Sequence, residues 1–282
     1  MDSFRCFIFY VVPRKGLEPS RLAASVPKTD VSTNFTTWAP YLSRDYTLKY
    51  GRVLLMNVSI IFENENFLVI NKPSGLVVHP FDYSTEETLL DFLTSHVSET
   101  FNIDNSVTLQ DKRVINLGGV VHKLDRDTSG VMVIAKNQKT FDELKEQFRN
   151  HTTKKTYHAL VEGIVKEDSF TIDAPLGRNK KDYKQSVNPT NPRGELRDAI
   201  TEVKVITRNE VTVTTLVELT PKTGRTHQLR AHMSHIGHPI VGDKAYGSTC
   251  DAPRIMLHAK TLMFDVVGEK YFFATDVPEN FL

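Results

Sequence analysis

Cysteine is almost missing from this chain. Its 282 residues include only Cys6 and Cys250, far apart and without paired spacing. That excludes a disulfide framework and a thiolate metal site, and it fits a reducing cytosol. Long apolar runs are missing too. Stretches such as residues 130–135 fall far short of the ~20 residues that cross a bilayer, so no membrane partner is expected. Residues 4–12 are apolar but are interrupted by Arg5 and Cys6 and followed by Pro13 and Arg14. A signal peptide carries its positive charge first, so no targeting signal is read there. An excess of one charge sign is also lacking: the formal net charge is +1. This neither supports nor excludes nucleic acid, because a basic patch can be local while the total stays near zero. No internal repeat or low-complexity tract stands out.

What remains is ordinary globular material, 40% hydrophobic and 24% charged. The length suits one large domain or two modest ones. Residues 12–50 are rich in Pro, Ser, Thr and charge, with no sustained period of 3.6 or 2. Residues 1–56 are therefore expected to be an N-terminal extension outside the main fold, either poorly ordered or upstream of a true start at Met56. Residues 57–282 form the main domain.

Within that domain, residues 59–62 and 67–70 read as strands around a polar turn. Residues 71–75 are a loop by composition, and 76–79 resume an extended run. Residues 85–97 and 139–149 have helical spacing. Residues 118–121 and 131–135 are strand-like. Residues 155–165 alternate, with Tyr157, Ala159 and Val161 on one face. Residues 201–206 and 211–219 read as a hairpin. Residues 226–235 read as a helix with Thr226 as N-cap, Gly237 past its end and Pro239 as a stop. Strands outnumber helices and hairpins recur, which predicts an α+β class with a mainly antiparallel sheet.

Two segments concentrate reactive groups. His122-Lys123-Leu124-Asp125-Arg126-Asp127-Thr128-Ser129-Gly130 lies between two strand-like runs, so its polar residues occupy a loop at a sheet edge. A capped turn with solvated charges is the alternative. The second segment is Thr223-Gly224-Arg225-Thr226-His227-Gln228-Leu229-Arg230-Ala231-His232-Met233. On a helix, His227 and Arg230 share a face. Arg230 is flanked by apolar residues, and a buried guanidinium needs a carboxylate partner. Asp125 is the expected partner, an arrangement that favours the ionised acid. His227, His232, His235 and His238 invite a metal reading, but the helical His pair with an intervening Glu is lacking and no cysteine is near. Surface or RNA-facing histidines fit better.

Taken in order, these segments resemble the RluA-type RNA pseudouridine synthases. The likeness runs from about residue 60 to about residue 272. It rests on Val69-Ile70-Asn71-Lys72-Pro73-Ser74-Gly75-Leu76, the Asp125 segment, and Lys155-Thr156-Tyr157-His158-Ala159-Leu160-Val161-Glu162-Gly163. It continues with the Arg230 segment through Gly237-His238-Pro239-Ile240-Val241-Gly242-Asp243, then Leu257-His258-Ala259. The resemblance implies a pseudouridine synthase fold, a mainly antiparallel mixed sheet with flanking helices and a central cleft. It implies isomerisation of uridines in ribosomal RNA or transfer RNA, with Asp125 as the catalytic carboxylate. Tyr157 matches the tyrosine that stacks on the target base, Arg230 the arginine paired with the aspartate, and Leu257 an apolar residue of the base pocket. His122, Lys123 and Arg126 are further candidates for contact with the substrate. Lys123 departs from the family's usual arginine and loses its planar, stacking head. If that side chain replaces the everted base, another contact must do so here, with Arg126 as the candidate.

The reaction breaks a bond from ribose to a ring nitrogen and makes one to a ring carbon. Nothing is oxidised or imported, so no cofactor is expected. Asp125 suits either a nucleophile at the anomeric carbon or a base at the ribose. Tyr157 offers a face and a hydroxyl. The uridine must leave its stack at a cost of about a few kcal/mol. Lys72, Lys123, Arg126, Arg225 and Lys244 are candidate phosphate contacts, although Lys72–Gly75 also reads as a plain turn and residues 178–184 as a solvated loop. A cytoplasmic monomer without an obligatory protein partner is expected. The competing readings are a non-catalytic RNA-binding protein on the same scaffold and a metal-dependent hydrolase built on the histidines.

Overall fold

The computed structural model describes residues 10–12, 58–80, 86–109, 112–178, 184–187, 189, 192, 194–278 and 281. In chain order the elements are β1 (Tyr10–Val12), β2 (Ser59–Glu63), β3 (Phe67–Lys72), α1 (Leu89–His96), β4 (Ser106–Thr108), β5 (Val114–Asn116), β6 (Ser129–Ala135), α2 (Gln138–Arg149), β7 (Lys154–Glu162) and β8 (Ser169–Asp173). They continue with β9 (Leu176–Arg178), β10 (Gln185–Val187), β11 (Ile200–Asn209), β12 (Thr214–Pro221), α3 (Gln228–His235), β13 (Leu257–Val266) and β14 (Glu269–Ala274).

One sheet organises the molecule in the order β2-β3-β6-β13-β7-β12-β11-β8, with β14 beside β13 and β1 beside β14. Every pairing in it is antiparallel except β6 with β13, which run parallel. The expected mainly antiparallel mixed sheet is what forms. β6 is buried along all seven residues, which is why it reads as an unbroken apolar run rather than an alternating one. α2 is capped by Asn137, whose side chain accepts from Thr140 N at 3.0 Å, and buries Thr140, Phe141 and Leu144. α1 is capped by Thr88, whose backbone N–H donates to Asp91 Oδ2 at 2.7 Å.

Two apolar clusters result. The first gathers β3, β6, α1 and α2, with Phe67, Met132, Phe141 and Leu144 at its heart. The second gathers β7, β12 and α3, with Val161, Val217 and Met233. Tyr157 packs against both, so it stands at the seam. There Gly130 on β6 approaches Ala259 so closely that a Cβ would lie 2.2 Å from the Ala259 carbonyl oxygen. Its φ of +121° adds a second reason for glycine at the end of the Asp125 segment.

Three expectations need correction. Residues 76–79 are not a strand, because only Val77 bridges, to Thr88. Residues 118–121 likewise give one bridge, Val120 to Ile134. The helix expected from Thr226 begins at Gln228, with His227 as N-cap. Within the N-terminal stretch, Tyr10–Val12 pairs with Lys270–Phe272. The rest of residues 1–57 lies outside the described residues, as do residues 179–183 of the basic run.

Candidate active site

Asp125 sits in the loop that leads into β6. That loop is clamped from beneath by residues 72–75. Lys72 Nζ donates to Pro73 O, Leu76 O and Arg126 O at 2.7–2.9 Å. Gly75 N donates to Arg126 O at 2.9 Å, and Ser74 Oγ to Asp127 O at 2.7 Å. Thr128 N closes the turn onto Asp125 O at 3.2 Å. The Lys72 side chain is fully buried. Burial pulls its pKa down to about 7 against the opposing charges of Asp127 and Asp125. Lys72 is therefore a brace under the loop and not the phosphate contact anticipated for it.

Arg230 comes from α3 in the other half of the sheet. Its expected carboxylate partner was Asp125, but the principal one is Asp243. Nε donates to Asp243 Oδ2 at 2.6 Å and Nη2 to Oδ1 at 2.9 Å, a bidentate pair with Asp243 fully buried. Asp125 Oδ2 lies 3.5 Å from Nη1, and its side chain keeps a quarter of its surface exposed. Burial alone would depress the guanidinium. The hydrogen bonds and charge of Asp243, helped by Asp125, hold it above its ordinary value. The guanidinium also lies 4.8 Å from the centre of the Tyr246 ring. Asp243 and Tyr246 carried no role in the sequence reading. The only hint was the closing Asp243 of the Gly237–Asp243 segment.

The two halves meet at a cleft of about 320 Å³ whose walls include Asp125, Tyr157, Leu257, Arg230, His227, His122 and Lys123. Six of the seven site candidates thus converge. Arg126 does not: its Nη1 pairs with Glu86 at 2.7 Å, and its side chain is absent from the cleft wall. Tyr157 has its phenol pushed above the ordinary value by burial and by the Asp125 charge, so it remains a neutral hydroxyl. His122 stacks on Phe148, centroids 4.4 Å apart, and its Nε2 accepts from Val133 N at 3.1 Å. Burial and the Lys155 charge push its pKa down to about 3. It is a neutral wall, with the second ring nitrogen as its proton carrier.

Among the other basic candidates, Arg225 lines the cleft while its Nε donates to Asp198 O at 3.0 Å. Lys244 Nζ meets Thr249 O and Asp251. The histidines turn to separate partners. His232 bonds Thr201 Oγ1 and Ala174 O inside the protein, and His238 Nδ1 is 2.8 Å from Glu162 O. Among the described residues no group of three or more His, Cys, Asp or Glu is placed to hold a metal ion. In chemical terms the cleft offers a partly exposed carboxylate, an aromatic and an aliphatic side chain for a flat ring, and a fixed cation beside the acid.

Comparison with known proteins agrees with this geometry. Residues 66–235 match the family model described as RNA pseudouridylate synthase. The chain is 38% identical over 229 residues to the protein named uncharacterized RNA pseudouridine synthase YlyB of Bacillus subtilis, covering 80% of this chain and 71% of that one. It is 35% identical over 245 residues to ribosomal large subunit pseudouridine synthase D of Pseudomonas aeruginosa, covering 80% and 70%. The solved structure of human RNA pseudouridylate synthase domain containing 1 superposes with a TM-score of 0.64 at 28% identity, covering 80% and 85%.

Proposed function

This chain belongs to the RNA pseudouridine synthase family, and from that premise we propose that it isomerises uridines of large-subunit ribosomal RNA, with Asp125 as the acting carboxylate. The class of reaction is that of the family, an intramolecular isomerisation of RNA. The ribosomal substrate follows the name of the Pseudomonas aeruginosa relative. The observation that carries the assignment of Asp125 is its place: a partly exposed acid on a braced loop, beside Arg230 and lining the same cleft as Tyr157 and Leu257.

An everted uridine enters with its base against Tyr157 and Leu257 and its ribose toward Asp125. The carboxylate either attacks the anomeric carbon or removes a ribose proton, and both routes break the bond to the ring nitrogen. The freed uracil turns within the cleft and its ring carbon bonds to the anomeric carbon, displacing Asp125 in the first route or with the acid returning its proton to the ribose in the second. That ring carbon then loses its proton, and the former glycosidic nitrogen ends protonated. Arg230 supplies positive charge beside the acid. Because Asp243 already compensates Arg230, Asp125 is not consumed in a tight ion pair and stays available to the sugar. Every group named lies within residues 57–282, which we take as the catalytic unit, working as a monomer in the cytoplasm without a cofactor.

The test is pseudouridine mapping of ribosomal and transfer RNA from cells carrying the wild-type protein or Asp125→Ala. One or a few ribosomal positions are expected to revert to uridine in the variant. Identical maps would sink the catalytic reading and leave the non-catalytic RNA-binding protein. Loss at transfer RNA positions would replace the substrate class and keep the enzyme.

A further inference from the structure

His227 has a backbone conformation that helix formation does not require. It immediately precedes α3 with φ +53°, in the left-handed region that side chains other than glycine seldom occupy. Its side chain makes no capping hydrogen bond to the helix. The ring instead lies between the buried Tyr246 and the cleft-lining Asp125. Nδ1 is 3.0 Å from Tyr246 Oη, and Nε2 is 3.8 Å from Asp125 Oδ2.

A phenol 3.0 Å from Nδ1 favours the tautomer in which that nitrogen accepts. Tyr246 stays protonated, since burial lifts its pKa to about 12. With Nδ1 accepting, the single imidazole proton is on Nε2, the atom that faces Asp125. Burial keeps the imidazole below its ordinary pKa. Around it, Asp125 and Asp243 favour the charged ring, while Arg230 and Lys123 oppose it.

Resting on the assignment of Asp125 above, we propose that His227 is a positioning residue for that acid. Tyr246 fixes the ring as a donor at Nε2, and the donor steers Asp125 Oδ2 so that Oδ1 is left for the ribose. A neutral donor suits this task better than a second cation. It orients the carboxylate while leaving it basic and nucleophilic, as an acid that orients an imidazole does in reverse in a hydrolase triad. The 3.8 Å separation tightens to a hydrogen bond when RNA fills the cleft.

The test uses single-turnover pseudouridine formation on an RNA that the wild-type protein modifies, with H227L, H227Q and Y246F. H227L and H227Q share the same backbone strain, so their ratio isolates the donor. H227L is expected to lower the rate constant at saturating RNA by roughly 10- to 100-fold, the scale of one hydrogen bond to a charged group. RNA affinity should stay within about threefold. The H227Q amide, which restores an N–H, should recover most of that loss and move the acid limb of the pH–rate profile downward, because an amide does not titrate. Y246F removes the donor to Nδ1, makes the ring easier to protonate, and should move the acid limb upward. Equal rates for H227L and H227Q, or a wild-type rate in H227L, overturn the proposal. Should H227L not fold, an unchanged rate and acid limb in Y246F overturns it instead. Failure of the wild-type protein to modify any RNA would strike the functional reading, a different result from any of these.

Discussion

On the β3–β6 side of the sheet, the loop that carries Asp125 is held by peptide groups and the Ser74 hydroxyl, with one ammonium, Lys72, sealed beneath it. On the β7–β12 side, Arg230 is held by a complete ionic pair with Asp243, stacked against Tyr246. Among the described residues, the cleft-lining acid therefore comes from the half without a buried ion pair, and the cation from the half that has one. This separates two tasks that a single Asp–Arg pair would confound. Asp243 carries the structural compensation of a buried charge, and on the function proposed above Asp125 is left with chemistry.

The sharpest way to break that contrast is to delete each acid in turn. Asp243→Ala leaves Arg230 buried without its principal partner, and about 3–5 kcal/mol of stability is expected to go. Asp125→Ala removes a partly exposed group at 3.5 Å, and its stability change should stay within about 1 kcal/mol while activity disappears. Urea unfolding of both variants checks this. Comparable losses of stability would mean that Arg230 depends equally on both acids.

The next effect concerns the seam. His258 on β13 lies opposite Ser129 on β6 and is fully buried. Its Nδ1 is 2.7 Å from Ser129 Oγ and its Nε2 2.8 Å from Thr275 Oγ1. Arg254 Nη2 donates to the same Ser129 hydroxyl, and Thr275 donates to Ala259 O. Both hydroxyls are thereby oriented for a neutral ring with its proton on Nε2. Burial, with the Arg254 and Lys260 charges, pushes the His258 pKa down to about 3. A depressed histidine contributes stability that is fully present above its unfolded pKa of about 6.5. That stability is lost as pH falls toward the folded value, because the unfolded chain takes up the proton first. Unfolding free energy should therefore fall by about 1.4 kcal/mol per pH unit from this residue below pH ~6. His122 adds the same sign from the cleft wall. Urea titrations at pH 7, 6 and 5 measure the slope. In H258Q the slope should be shallower, and an unchanged slope would remove His258 from the account.

The sequence made much of this arrangement legible, and unevenly. Alternation in residues 155–165 placed Tyr157 correctly on a half-buried strand, and the apolar run around Val131–Ala135 marked a central one. The family resemblance carried by the order of motifs grouped Asp125, Tyr157, Arg230 and Leu257 at one site, and all four line the cleft. Lys72 was misjudged because its Arg126 acceptor lies 54 residues away, and a lysine beside Pro and Gly has the local character of a solvated turn. Asp243 went unassigned for a similar reason. Charge pairing predicts that a buried guanidinium has a carboxylate, but not which one, when two acids approach from opposite halves. The left-handed turn at His227 left no mark in composition at all, since a Thr-Gly-Arg-Thr run suggests a helix cap one residue earlier.

The smallest expected effect sharpens the contrast between a fixed and a free cation. Arg230 is clamped on its acid, whereas Lys123 lines the cleft from the opposite loop, at the position where the resemblance calls for arginine. Lysine keeps the charge as a compact ammonium on a flexible stem, while arginine adds a planar head that stacks and forks. If Lys123 serves only to hold phosphate or the strand partner left by eversion, K123R should tighten RNA binding by about two- to fivefold, the scale of one cation–π or forked contact at a partly exposed site. The rate constant at saturating RNA should change by less than about threefold, because Asp125 and Arg230 are untouched. Filter binding and single-turnover rates on the same RNA separate the two. A rate increase of tenfold or more without tighter binding would place Lys123 in the chemical step, and the division of labour between the halves would then have to be redrawn around two working cations.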